Sequence, residues 1–478
     1  MPLSRRGFLG GAAALGGSSL LQFPEKKEEK CRILRLFLGS RPSWPNPRLD
    51  LAAEIRRFRR AFARVRGLED VEFVGDSQVR DPREAQRYLA RWKDQVAGIL
   101  ACNLCLGNLS TIITLAKSGL PTVVFSIPYS GHEWYLIPDM WRAGYKIDVV
   151  ATSRFDDVVK AIKPIRALWR LRRTKILYVG AGLPLPKEAV ESFRAKLGLE
   201  IVPYDTEAIK RVYAEVDPGL AEKEADRWIS EAEEVVEPSR EEIVKASRYY
   251  LAMKEVLRRE KATVITINCL SAFAQGKLPA YPCLGFSRLN DEGLCGVCEA
   301  DLPSAVTQVV FLYLEGIPGF VTDPVVDIAT NTVIHAHCVS ATKMAGPAGP
   351  ACPYRIRTHL EDLRGASLQV RHQKGVEVTV AKIVAKDTRP YDKRPILMSP
   401  SPFDCWRPDQ ILISTGKIID SPFLERGCRT KATVKVADAQ KMLEGWSYGL
   451  HRVLFYGNHM DDVRRFCRFA GIEVTVEG

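Results

Sequence analysis

The sequence predicts an α/β protein: two Rossmann-like parallel-sheet domains followed by a β-rich C-terminal domain. Three observations carry that expectation. Apolar strand-like runs alternate with helical periods through the first third of the 478 residues, which is the pattern of a parallel sheet with crossover helices. The alternation resumes after Arg173. From about Cys352 it gives way to period-two patterning in SLQVRH, VEVTVAKIV, QILISTGKII and TKATVKV, the mark of half-buried strands.

In order, the first unit reads as strands at Ile33 to Leu38, Val71 to Val74, Gly98 to Ala101 and Thr122 to Phe125. Helices fall between them at Asp50 to Val65, Pro82 to Lys93 and Leu109 to Ser118. The second opens with a strand at Ile176 to Val179, then a helix from Pro186 to Leu197 and a strand at Glu200 to Pro203. Charged helices run between Thr206 and Lys261, and a further strand covers Thr263 to Asn268. The GAGL after the Ile176 strand lacks the third glycine and the following acid of a dinucleotide fingerprint, so it reads as a turn. Helices in the last unit are expected only near Ala437 and Asp462. The units are 1–30, a signal and linker; 31–173, an N-terminal α/β domain; 174–351, a central α/β domain; and 352–478, the β-rich domain.

A hydrophobic content of 46% fits a globular chain. The net charge of +12 is dispersed along helices, and no basic-aromatic module accompanies it, which argues against nucleic acid as a partner. The N-terminus reads SRRGFL, then the mildly apolar GGAAALGGSSLLQF, then EKKEEK. This resembles a twin-arginine export signal, against the plainer reading of a disordered basic terminus. It implies the twin-arginine machinery as a partner and a periplasmic or other extracytoplasmic location, with cleavage or membrane tethering left open. The twelve cysteines include two CxxC pairs, Cys102/Cys105 and Cys295/Cys298. They lie too far apart for a zinc ribbon, so buried or disulfide-forming cysteines are expected over a metal site.

The chemistry concentrates around CGVCEAD at 295–301. Asp301 is placed as the N-cap of an apolar helix from Leu302 to Glu315, with Pro303 in its first turn and Gly316 as its stop. One cap suffices, so Glu299 is left over. Twenty-four residues on, Asp323 stands in GFVTD. A strand–helix–strand excursion would return it to the strand beside Glu299, at the same sheet edge. A turn at Asn331 then leads into VIHAHC, which carries His335 and His337 on one strand face. His451 is a lone histidine near the C-terminus. In YSGHEWYLIPDM (129–140), His132, Glu133 and Trp134 group on a loop suited to gripping a ligand, or simply to packing on its own domain.

CEAD, GFVTD and VIHAHC, together with the terminal WSYGLHRVLFYGNHMDDVRRFCRFAGIEVTVEG, resemble the L-fucose isomerase and L-arabinose isomerase superfamily. The resemblance implies a metal-dependent aldose–ketose isomerase acting on a free monosaccharide by an ene-diol route. It implies Glu299, Asp323 and His451 as ligands of Mn2+, with Mg2+ or another divalent cation as substitutes, and Glu299 and Asp323 as the proton-moving carboxylates. His337 matches a further histidine of the arabinose-isomerase branch and is placed on the substrate side. The His132, Glu133 and Trp134 loop would reach sugar in a neighbouring subunit, which implies a homo-oligomer. Leu450 and Asn458 depart from the family pattern. Two other readings stand beside this one: a non-catalytic exported carbohydrate-binding descendant of the fold, and a redox or zinc site built from CxxC and HAHC.

Overall fold

The computed structural model describes residues 29–384 and 409–478; the export-signal motif and Cys405 lie outside the described residues. The first unit is a five-stranded parallel sheet of β1 (Cys31–Leu38), β2 (Val71–Val79), β3 (Gly98–Asn103), β4 (Thr122–Ser126) and β5 (Ile147–Ala151), ordered β2-β1-β3-β4-β5. β3 and β4 are buried at every position, so they read as continuous apolar runs and not as alternation. Helices Leu51–Phe62 and Pro82–Trp92 start where expected because Asp50 and Asp81 accept from backbone N–H groups three residues on.

The second unit holds four parallel strands, β6 (Lys175–Val179), β7 (Glu200–Pro203), β9 (Val264–Ile267) and β10 (Cys295–Cys298), ordered β10-β9-β6-β7. Between β7 and β9, β8 (Glu234–Val235) leaves that sheet for a small one with β13 (Tyr354–Arg357) and β14 (Ser367–Val370).

The remaining strands build an antiparallel barrel. β11 (Phe320–Asp327), β12 (Thr332–His337), β15 (Glu377–Val384), β16 (Gln410–Asp420), β17 (Thr430–Lys435) and β18 (Arg452–Tyr456) follow the order β15-β18-β11-β12-β17-β16, and pairing of β15 with β16 closes the ring. Closure removes the exposed edges that an open sheet would present. β19 (Glu473–Val476) adds in parallel to β16.

The parallel α/β sheets and the β-rich C-terminal region therefore match expectation, with one correction. Helix Leu302–Glu315 does not return the chain to the strand beside β10. Instead β11 runs antiparallel between β12 and β18, so residues 320–337, grouped by their pattern with the central unit, lie in the barrel. Gly319 makes this start possible: a Cβ there would sit 2.5 Å from Val453 Cγ1 on β18. One core, including Phe58, Phe125, Ile165, Val264, Val309 and Phe455, joins the two parallel sheets and the barrel. Among the described residues, no helix is long and apolar enough to cross a membrane.

Candidate metal centre

Glu299 and Ala300 follow β10 with φ of 64° and 54°. Two successive non-glycine residues in the left-handed region cost strain, of the kind that gathers at functional sites. The step turns the chain abruptly from strand to helix, and Asp301 N–H closes it on Cys298 O at 3.3 Å. Asp301 then caps the helix as expected, its Oδ1 accepting from Ser304 N at 3.1 Å.

Asp323 lies on β11 and His451 directly precedes β18. Because Thr322 pairs with Arg452, the next position along each strand sets Asp323 beside His451. Sheet pairing thus joins two residues more than a hundred positions apart. His451 Nε2 stands 3.0 Å from Asp323 Oδ1 and 3.7 Å from Glu299 Oε2. His451 is therefore a neighbour of each carboxylate, but Glu299 and Asp323 come from two different sheets and not from one sheet edge, and among the described residues the metal-sized groups are Cys298 with Glu299 and His337, and Asp323 with His337 and His451.

Asp301 has a second role that the sequence pattern did not reveal. Its Oδ2 accepts from His451 Nδ1 at 2.9 Å, and both side chains are fully buried. The carboxylate settles the tautomer: the proton sits on Nδ1, and the Nε2 lone pair points at Asp323 and Glu299. A hint was available, since an N-cap uses one carboxylate oxygen and leaves the other to find a partner.

His451 Nε2 and Asp323 Oδ1 have no hydrogen-bond partner, although both are buried and only 3.0 Å apart. Unsatisfied buried acceptors are costly, and a cation relieves the cost. Without one, a proton is the substitute. Burial pushes the His451 pKa down, but the Asp301 and Asp323 contacts outweigh it and hold the ring at about 9. Asp301 is correspondingly lowered to about 2: burial would raise it, and the hydrogen bond and charge of His451, with help from Lys382 and Ser304, prevail. In Asp323 the His451 contact likewise overcomes burial and lowers the carboxyl.

His337 sits across the same carboxylates, its Nε2 3.6 Å from Glu299 Oε1 and 3.9 Å from Asp323 Oδ2. Distance alone places it within two metal-sized groups, Asp323 with His451 and Cys298 with Glu299. Its hydrogen bonds argue otherwise. Cys338 N–H donates to His337 Nδ1 at 2.9 Å, so the proton of the neutral ring is on Nε2. Burial disfavours the charged ring while the Cys338 thiol and Glu299 favour it. The thiol and carboxylates prevail and raise its pKa well above the ordinary value, and the N–H against Nδ1 keeps the proton of the neutral ring on Nε2. His337 therefore offers an N–H to the site where His451 offers a lone pair. His335, two residues earlier, turns to Thr322 Oγ1 at 2.9 Å inside the barrel, and burial drops its pKa to about 3.

A cavity of about 510 Å3 is lined among others by Leu270, Phe273, Tyr281, His359 and Glu361, and by none of Glu299, Asp323, His337 and His451. His359, on its wall, contacts the Cys338 thiol. No motif marks His359 or Glu361 in the sequence; they come from an ordinary loop after β13.

The 129–140 loop belongs elsewhere, at the C-terminal end of the first sheet. Glu133 is buried, accepting from Gly107 N at 2.7 Å, Asn108 N at 3.0 Å and Asn103 Nδ2 at 2.9 Å. These bonds make it the anchor of its own loop and not a free grip for a ligand. Trp134 is 47% exposed and His132 partly so. All eleven described cysteines are free thiols, nine of them buried.

No family model matches the chain. Among curated proteins it is similar to the sulfoquinovose isomerase of Clostridium sp. (strain MSTE9), 23% identical over 308 residues. The match spans 62% of this chain and 62% of the relative, less than two thirds of that protein's length. In this chain, His, Glu, Asp and Cys side chains lie close enough together to hold a metal ion.

Proposed function

We propose that the protein is a metal-dependent aldose–ketose isomerase acting on a free monosaccharide. The observation that carries the reading is the convergence of the buried, unpartnered His451 Nε2 and Asp323 Oδ1 with Glu299 Oε2. Two carboxylates and one imidazole suit a hard divalent cation such as Mn2+ or Mg2+. When bound, that cation supplies Lewis-acid stabilisation of negative charge on substrate oxygens.

The chain's own residues do the rest. Glu299 and Asp323 flank the position where a sugar's C1 and C2 would lie and carry the proton between them along an ene-diol route. His337 donates its Nε2–H to a substrate oxygen. Asp301 keeps His451 in the tautomer that leaves a lone pair inward. The cavity lined by His359 and Glu361 has the size of a small-molecule site. Lys245 and Arg364 on its wall are balanced by Glu242, Glu361 and Asp362, so its charge does not select an anionic sugar over a neutral one.

His132 and Trp134 remain candidate sugar contacts across the interface of a homo-oligomer, and the N-terminus a candidate twin-arginine signal directing export. The reading of a non-catalytic carbohydrate-binding descendant gains no support from a centre that keeps its acceptors unpaired.

The test is a panel of aldoses and ketoses, sulfoquinovose included, assayed with the metal-stripped protein before and after Mn2+ addition. Interconversion of one pair that requires Mn2+ and is lost in Glu299→Gln is the expected result. A Mn2+-loaded protein that turns over no sugar would overturn the proposal.

A further inference from the structure

The CxxC at 295–298 and the cysteine of HAHC take no part in that chemistry. On a strand, residues three apart face opposite sides, and Cys295 and Cys298 accordingly enter different cores. The CxxC cannot close on itself. Cys298 instead meets Cys269, the first residue of the short helix Cys269–Ala274 that follows β9. β9 and β10 are parallel neighbours with Cys298 opposite Ile267, so the ends of the two strands bring the thiols together. Their sulfurs lie 3.1 Å apart, about 1 Å longer than a disulfide bond of ~2.05 Å. Cys283 and Cys338, the nearby second pair, stand 3.8 Å apart.

We propose that Cys269 and Cys298 form a modification site, a dithiol that closes to a disulfide and thereby controls Glu299. The two residues are only 3% and 2% exposed, which excludes a protein thiol oxidase and favours a small uncharged oxidant of the peroxide class. The cavity of about 510 Å3 supplies its approach, for Leu270, Phe273 and Ala274 of the same helix line it. One sulfur attacks a peroxide oxygen, breaking the O–O bond to give a sulfenic acid and water. The second then attacks the sulfenic sulfur, forming the S–S bond and releasing a second water. In sum, two thiols and one hydrogen peroxide become one disulfide and two waters.

The consequence follows from chain geometry. Cys298 directly precedes Glu299, whose left-handed backbone leaves little slack. Drawing the two sulfurs about 1 Å closer pulls on the residue that aims the carboxylate, and displacements of that size are costly in a preorganised site. This control of a metal-binding carboxylate rests on the proposed function; the disulfide itself does not.

The experiment uses the full chain, treated with hydrogen peroxide for hours because buried thiols react slowly. It is then alkylated, digested with trypsin and a glutamyl endopeptidase, and mapped by mass spectrometry. Cleavage after Glu299 separates Cys298 from Cys338, and fragmentation distinguishes it from Cys295. The expected result is a reducible link between the Cys269 and Cys298 peptides with two thiols lost. Mn2+ affinity, measured by calorimetry, falls roughly 10- to 100-fold, the range for disturbed metal surroundings. In Cys269→Ser the link is absent and peroxide leaves Mn2+ affinity unchanged. An unlinked pair, or a Cys283–Cys338 link in its place, would overturn the site. A Cys269–Cys298 link with unaltered Mn2+ affinity would overturn the control of Glu299, and a link in a protein without sugar turnover would count against the isomerase reading alone.

Discussion

His337 and His451 are two buried imidazoles 5.7 Å apart, ring centre to ring centre, facing the same pair of carboxylates. They differ in what meets Nδ1. A backbone N–H fills that position in His337, and a carboxylate oxygen fills it in His451. The first ring therefore presents a donor and the second a lone pair. Both fall in a metal-sized group, His337 in two and His451 in one; the partner on the far nitrogen decides which can be a ligand.

The sharpest way to break this comparison is to truncate each ring. His451→Asn is expected to weaken Mn2+ binding by at least about 100-fold, since it removes the inward lone pair and its orienting bond. His337→Gln is expected to leave Mn2+ binding within a few-fold while lowering kcat roughly 100-fold, because a donor to substrate is misplaced and no ligand is lost. Calorimetric titration with Mn2+ alongside steady-state kinetics reads both; equal loss of metal in the two variants would erase the distinction.

Asp301→Asn asks a narrower question. Asparagine is as good an N-cap as aspartate, so thermal stability of the helix end should change little. The amide is a weaker acceptor for His451 Nδ1–H, and Mn2+ affinity is expected to drop about 10-fold. A variant destabilised without loss of metal affinity would make Asp301 a cap and nothing more.

The smallest expected effect is on pH dependence. With the metal stripped, His451 is held at about 9 by Asp301 and Asp323, above its ordinary value. A raised folded-state pKa means stability that is fully present below about pH 6.5 and lost as pH rises through about 9. The loss is on the order of 3 kcal/mol. Urea unfolding of the metal-stripped protein should show it, and His451→Asn should abolish it.

Much of the fold was legible in the residues. The alternation before Arg173 anticipated the first sheet, and the Asp301, Pro303 and Gly316 signals bounded helix Leu302–Glu315 at the residues observed. Glu299, Asp323 and His451 were matched through their motifs, and the structure sets His451 3.0 Å from Asp323 and 3.7 Å from Glu299. Glu133 was not legible, because its three backbone and side-chain donors come from residues 103 to 108, an encounter that only the packing of two loops creates. Asp323 was placed on the wrong sheet for a similar reason. A pattern of strand, helix and strand is the same whether the last strand pairs in parallel with the first or leaves for a barrel.

The sequence by itself determined the elements and their ends, since periodicity and capping act between residues within a turn or two of one another. It also supplied Glu299, Asp323 and His451 as candidates, through a resemblance carried by their motifs. Only the tertiary structure decided which of them meet and in what protonation state. The closure of β11 against β18 sets Asp323 beside His451, the left-handed step after β10 brings Glu299 across from another sheet, and the partner at each Nδ1 makes one histidine present a donor and the other a lone pair. Those outcomes depend on hydrogen bonds between residues far apart in the chain.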